Sequence, residues 1–167
     1  MPIRAVAFDL DGTLLDTTGL IVDSFVHVFE SHGLGPLPRE HWERGMGLPL
    51  VEALRPHARD DAHAELLVAA YRAYNLAHHD ARVNAYPGVP ELVAELGARG
   101  LPLAVISNKL RATVDRGLRI TALAPSFTIV LGLDDVVRAK PDPEAVLRVA
   151  AELHIEPAEL AMVGEIG

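Results

Sequence analysis

Asp9-Leu10-Asp11-Gly12-Thr13-Leu14 follows directly on the apolar run over residues 3–8. An apolar run of this length reads as a strand buried on both faces, as in a parallel sheet covered by helices. Two carboxylates two residues apart at its end cannot serve a core, because like charges repel and resist desolvation. Such a pair calls for a cation, and it suits chemistry in which one Asp attacks and the other moves protons. Gly12 then turns the chain. Alone, Asp-x-Asp-Gly is equally an ordinary solvated turn, so the reading depends on what the other strand ends carry.

After residue 86, Leu103–Ile106, residues 127–131 and Leu160–Val163 read as further short strands. Between them, residues 89–96, 110–118 and 143–153 carry apolar side chains at helical spacing. This alternation predicts an α/β fold: a Rossmann-like parallel sheet core with helices on both faces. From about Asp16 to Asn84 the pattern is mostly helical. Ile21, Phe25, Val28 and Phe29 share one helix face, and Leu67, Ala70, Tyr71 and Tyr74 recur along a longer helix that Asp60-Asp61 can cap. Residues 34–56, rich in Gly and Pro, read as loops with one short helix. The stretch is expected to be an inserted α-helical cap, so that residues 1–16 and 84–167 form the catalytic core and 17–83 the cap. Trp42 and Tyr71 are assigned to the cap core. His27, His32, His41, His57, His63, His78 and His79 share no ligand spacing and are read as surface residues.

The chain has 167 residues, enough for one well-buried domain with a small accessory unit. Its formal charge of −8 argues against a general nucleic-acid or anionic-membrane binder, which needs a basic face. The sequence has no cysteine, which excludes disulfides and thiolate metal sites and fits a reducing cytoplasm. No apolar stretch approaches a membrane span, and the apolar run before Asp9 is too short for a signal peptide. The expectation is a soluble cytoplasmic protein, monomer or homodimer, with no nucleic-acid or membrane partner.

In an open parallel sheet, ligands gather at the carboxyl ends of the strands. Those ends carry Asp9 and Asp11, Ser107-Asn108, the stretch from Gly132 to Asp135, and Gly164-Glu165; Lys140-Pro141-Asp142-Pro143 opens a helix between the last two. Brought together, these supply carboxylates, a lysine, a hydroxyl and backbone N–H groups, the parts needed to hold Mg2+ and a phosphate. Each has a plainer reading. Ser107 alone is a turn residue, and Lys140 a surface lysine before a proline turn. Asp134, Asp135 and Asp142 are read as helix caps, and Lys109 as either substrate-facing or solvated.

With these motifs in order, the sequence resembles the haloacid dehalogenase-like hydrolase superfamily, and within it the phosphoglycolate phosphatase-like members with a helical cap. The resemblance rests on Asp9 to Leu14, Tyr86-Pro87-Gly88, Ile106-Ser107-Asn108-Lys109, Ala139-Lys140-Pro141-Asp142-Pro143 and Met162-Val163-Gly164-Glu165. It implies a Mg2+-dependent phosphomonoester hydrolase acting on a small phosphorylated, phosphoglycolate-like metabolite through an aspartyl-phosphate. In that scheme Asp9 is the nucleophile and Asp11 the general acid and base. Ser107, Asn108 and Thr13 lie at the phosphate, and Lys140 neutralises both the phosphate and Asp9. Asp9, the backbone carbonyl of Asp11 and Glu165 hold the metal.

The chain departs from the family at its end. Members carry Gly-Asp after the last of these strands and a further Asp a few residues on, whereas here Glu165 stands first and the sequence stops at Gly167. The family fold continues beyond this point, so the C-terminal part of the core is expected to be missing and the strand Leu160–Val163 to lie at an uncovered sheet edge. Two other readings follow: a sugar phosphomutase of the same fold, or a truncated, weakly active member serving as a binding domain. The breaker-rich stretch from Arg44 to Pro49 is a candidate substrate-selecting loop of a lid. Arg44 and Arg55 are either carboxylate-recognising or solvated.

Overall fold

The computed structural model describes residues 2–164. Of these, residues 2–16 together with 84–164 form one compact unit, and Thr17–Val83 forms another.

The first unit is built on a four-stranded sheet in the order β5-β4-β1-β6, with β1 at Ala5–Phe8, β4 at Leu103–Ile106, β5 at Ile129–Leu131 and β6 at Leu160–Val163. All three pairings are parallel. β1 is shorter than the apolar run because Arg4 stays outside and pairs with Glu159 on the surface. β1 and β4 are buried at every residue, as central strands covered on both faces must be. Successive side chains alternate between faces. Ala5, Ala7, Ala104 and Ile106 pack with Ala145, Val149 and Ala150 of the helix Glu144–Glu152. Phe8, next along β1 after Ala7, meets Phe127 edge to face, with ring centroids 6.3 Å apart. The helices Val89–Ala98 and Arg111–Ile120 contact β4 and β5 respectively. Among the described residues β6 is an edge strand, and its Met162 and Val163 side chains are exposed.

A second, two-stranded sheet was not expected: β2 (Leu15–Asp16) pairs antiparallel with β3 (Asn84–Ala85). Two residues are too few to carry a periodic signal.

The second unit is helical. α1 (Thr18–Ser31) and α4 (Asp61–Arg82) make its main contact, joined by the short helices α2 (Arg39–Arg44) and α3 (Leu50–Leu54) and a 3-10 turn at Arg55–His57. Two short helices therefore stand where one was expected. Asp60 caps α4, its Oδ1 accepting from the His63 N–H at 2.7 Å. Phe25 stacks on Trp42 at 4.5 Å and meets Tyr71 at 4.7 Å, so Trp42 and Tyr71 are core residues. The surface assignment of the histidines fails for His63 and His79, which are buried. They lie on the inward stripe of α4 with Leu67, Tyr71 and Asn75, each four residues from the next. Among the described residues no group of three or more His, Cys, Asp or Glu side chains could hold a metal, and no helix is long and apolar enough to cross a membrane.

Candidate active site

β1 hands its chain directly to the two acids. The Asp9 N–H donates to the Val163 carbonyl of β6 at 2.8 Å, which extends the parallel ladder one residue past the strand. The chain then coils, with the Leu10 carbonyl accepting from the N–H groups of Thr13, Leu14 and Leu15. Gly12 sits at φ 73, a conformation costly for any residue with a Cβ. Thr13 lies half-buried in this coil.

Lys140 reaches Asp9 from the far end of the sequence. Its Nζ stands 2.8 Å from Asp9 Oδ1 and also donates to the Ile106 carbonyl at 3.1 Å. The same Asp9 oxygen accepts from the Leu10 N–H at 2.7 Å. The two side chains are 20% and 14% exposed, so their attraction is less screened than that of a surface pair.

The loop after β4 holds Lys140 in place. The side-chain amide of Asn108 accepts from the Lys140 N–H and donates to the Lys140 carbonyl, each at 3.0 Å. Ser107 is buried; its N–H donates to the Leu131 carbonyl and its Oγ accepts from the Lys109 N–H at 3.2 Å. The segment leading into Lys140 is tied from its other side by Glu144, which accepts from the N–H groups of Val137 at 2.7 Å and Arg138 at 2.9 Å. These bonds, the one from Val137 foremost, hold the Glu144 carboxyl below the usual carboxylate range.

Lys109, left open in the sequence, is the residue that sequence reasoning undervalued. Its Nζ lies 2.6 Å from Asp11 Oδ1, and the two side chains are 18% and 15% exposed. Each acid of the leading pair thus has its own lysine. Asp134, Asp135 and Asp142 lie nearby but act on the main chain, accepting from the N–H groups of Arg111, Gly132 and Glu144. Arg55 pairs with Asp61 on the surface of the helical unit. Arg44 lines a cavity of about 400 Å³ within that unit, together with Phe25, His41, Trp42, Leu48 and His57.

The donors around Asp9 and Asp11 suit magnesium. They are hard carboxylate and carbonyl oxygens, with no thiolate or imidazole among them. Mg2+ is commonly held by one or two carboxylates, with water and phosphate oxygens completing its shell. Gly164 presses close on the same side: a Cβ there would stand 3.0 Å from the Cβ of Asp9. Glu165, the third expected ligand, lies outside the described residues.

A family model described as haloacid dehalogenase-like hydrolase matches residues 6–165. Curated relatives include the pyrophosphatase PpaX of Halalkalibacterium halodurans, 39% identical over 165 residues, which cover 99% of this chain and 76% of the relative. The pyrophosphatase PpaX of Anoxybacillus flavithermus is also 39% identical, with the same coverage. Among solved structures, a Bacteroides fragilis protein assigned to the haloacid dehalogenase-like hydrolases superposes with a TM-score of 0.91 at 27% identity, over 98% of this chain and 79% of that one. A Haemophilus somnus protein described as a predicted phosphoglycolate phosphatase shares the fold, with a TM-score of 0.86 at 20% identity over 98% and 77% of the two chains. The chain belongs to the haloacid dehalogenase-like hydrolase family, and is an enzyme of the hydrolase class.

Proposed function

We propose that this chain is a Mg2+-dependent phosphatase of small phosphorylated metabolites that works through an aspartyl-phosphate on Asp9. The observation that carries the reading is the 2.8 Å approach of Lys140 Nζ to Asp9 Oδ1 at the carboxyl ends of parallel strands. The ammonium stands beside the attacking carboxylate, where its point charge offsets that of the incoming phosphate.

The chemistry runs in two displacements. Asp9 forms a bond to phosphorus as the bond to the leaving oxygen breaks, and Asp11 gives that oxygen a proton. Water then attacks the phosphorus of the aspartyl-phosphate, Asp11 takes the water's proton, and the bond to Asp9 breaks to release phosphate. Lys140 stabilises charge on the transferring group, while the Ser107 hydroxyl, the Asn108 N–H and Thr13 orient its oxygens. Asp9, the main-chain carbonyl of Asp11 and Glu165 are the groups that would hold Mg2+. When bound, the ion withdraws charge from the phosphoryl oxygens and lowers their repulsion toward the attacking carboxylate.

Two substrates are in view. A phosphoglycolate-like monoester is what the family resemblance implies. Inorganic pyrophosphate is favoured by the curated relatives, which are named pyrophosphatases. Phosphate release from both compounds, with and without Mg2+, tests the reading. Metal-dependent turnover that falls by about a thousandfold or more in Asp9→Asn is expected. Turnover that survives that change would contradict it.

A further inference from the structure

Lys109 is fixed in a way that a solvated lysine is not. Its N–H donates to Ser107 Oγ at 3.2 Å and its carbonyl accepts from the Leu133 N–H at 2.7 Å. Gly132 packs against that carbonyl so closely that a Cβ would stand 2.9 Å from it. From this pinned backbone the side chain reaches Asp11, with Nζ 2.6 Å from Oδ1 and only 18% of the side chain exposed. A partly desolvated ammonium is costly unless it meets negative charge.

Its position follows from its partner. Asp11, on the reading above, serves the leaving-group oxygen and so lies within hydrogen-bond reach of it. An ammonium bonded to the same carboxylate is therefore a near neighbour of that group, with one carboxylate between them. Lys140 attends the opposite pole, at the nucleophile and the transferred phosphoryl. An ammonium has three donors, and as a point charge it accepts phosphate or carboxylate oxygens without a fixed approach angle.

We propose that Lys109 recognises a second negative charge carried by the leaving group, a phosphate or a carboxylate, and thereby restricts the enzyme to small compounds anionic on both sides of the scissile bond. The inference rests on the phosphatase reading. A leaving group that carries no charge before the scissile bond breaks gives Lys109 nothing to bind in the ground state, whereas pyrophosphate and phosphoglycolate each present it with an anion.

The test compares Lys109→Met and Lys109→Arg with the unaltered chain on pyrophosphate, phosphoglycolate and p-nitrophenyl phosphate, at fixed free Mg2+, with circular dichroism to establish folding. In Lys109→Met, kcat/KM should fall about tenfold or more further for the two substrates that carry a second anion before reaction than for p-nitrophenyl phosphate, chiefly through KM. Lys109→Arg should recover most of the difference. A selective loss on pyrophosphate alone identifies the second anion as phosphate, and on phosphoglycolate alone as carboxylate. Losses equal within about threefold on all three substrates overturn the inference and leave the phosphatase reading intact. Absence of phosphate release by the unaltered chain from any of them overturns both.

Discussion

The side-chain amide of Asn108 grips the main chain of Lys140 at both of its polar groups, 32 positions along the sequence, with Oδ1 accepting from the N–H and Nδ2 donating to the carbonyl, each at 3.0 Å. An amide side chain here stands in for a neighbouring strand. It couples the loop after β4 to the segment carrying the lysine that reaches Asp9.

Asn108→Ala removes both bonds and leaves two partly buried main-chain groups without them. A loss of about 1–3 kcal/mol in folding stability is expected from such a change. If Lys140 is the charge that attends Asp9, kcat/KM should fall further than the stability loss explains, because the ammonium is no longer held in place. Denaturant titration and phosphate release on the same preparation measure the two effects. Unchanged turnover in a folded Asn108→Ala protein would show that the clamp does not serve the reaction.

The strap formed by Glu144 has a pH signature. Its carboxyl titrates below the usual range, because the Val137 and Arg138 N–H groups bind the ionised form. As pH falls, the unfolded chain takes up this proton before the folded one does, so the stabilisation is complete above the ordinary glutamate value and is lost through the lower folded value. Glu144→Gln should lower Tm at neutral pH, and the gap to the unaltered protein should close as pH falls below about 4. Thermal melts across that range check the sign. A gap that widens in acid would contradict this account of Glu144.

Gly132 is set by close approach rather than by its own dihedrals. A Cβ there would collide with the main chain of Arg111, standing 2.6 Å from its Cα, and would crowd the Lys109 carbonyl at 2.9 Å. Backbone cannot rotate away as a side-chain tip can. Gly132→Ala should therefore cost about 1–3 kcal/mol, with displacement of the loop from Ser107 to Arg111. Denaturant titration gives the first quantity, and amide hydrogen exchange in that loop gives the second.

The sheet was legible because each strand announces itself locally. Leu103–Ile106 is wholly apolar between Pro102 and Ser107, and Leu160–Val163 came out with the expected bounds. Asp9 drew attention for the same reason, as a charge at the end of a buried run. The Lys109–Asp11 pair joins residues 98 positions apart, and nothing near either residue signals the other. His63 and His79 are a different case. Their spacing with Leu67, Tyr71 and Asn75 marks the buried stripe of α4, but polar identity outweighed position in reading them. The strands Leu15–Asp16 and Asn84–Ala85 left no readable trace, since two residues cannot show alternation.

The central claim is that Asp9 itself carries the phosphoryl group. Asp11→Asn should slow the second displacement more than the first when the leaving group departs without a proton, as p-nitrophenolate does. After a brief reaction of that variant with p-nitrophenyl phosphate and Mg2+, acid quench and peptide mass spectrometry should find a phosphate adduct on Asp9. Release of p-nitrophenolate with no adduct there, or with the adduct on another residue, would contradict the account.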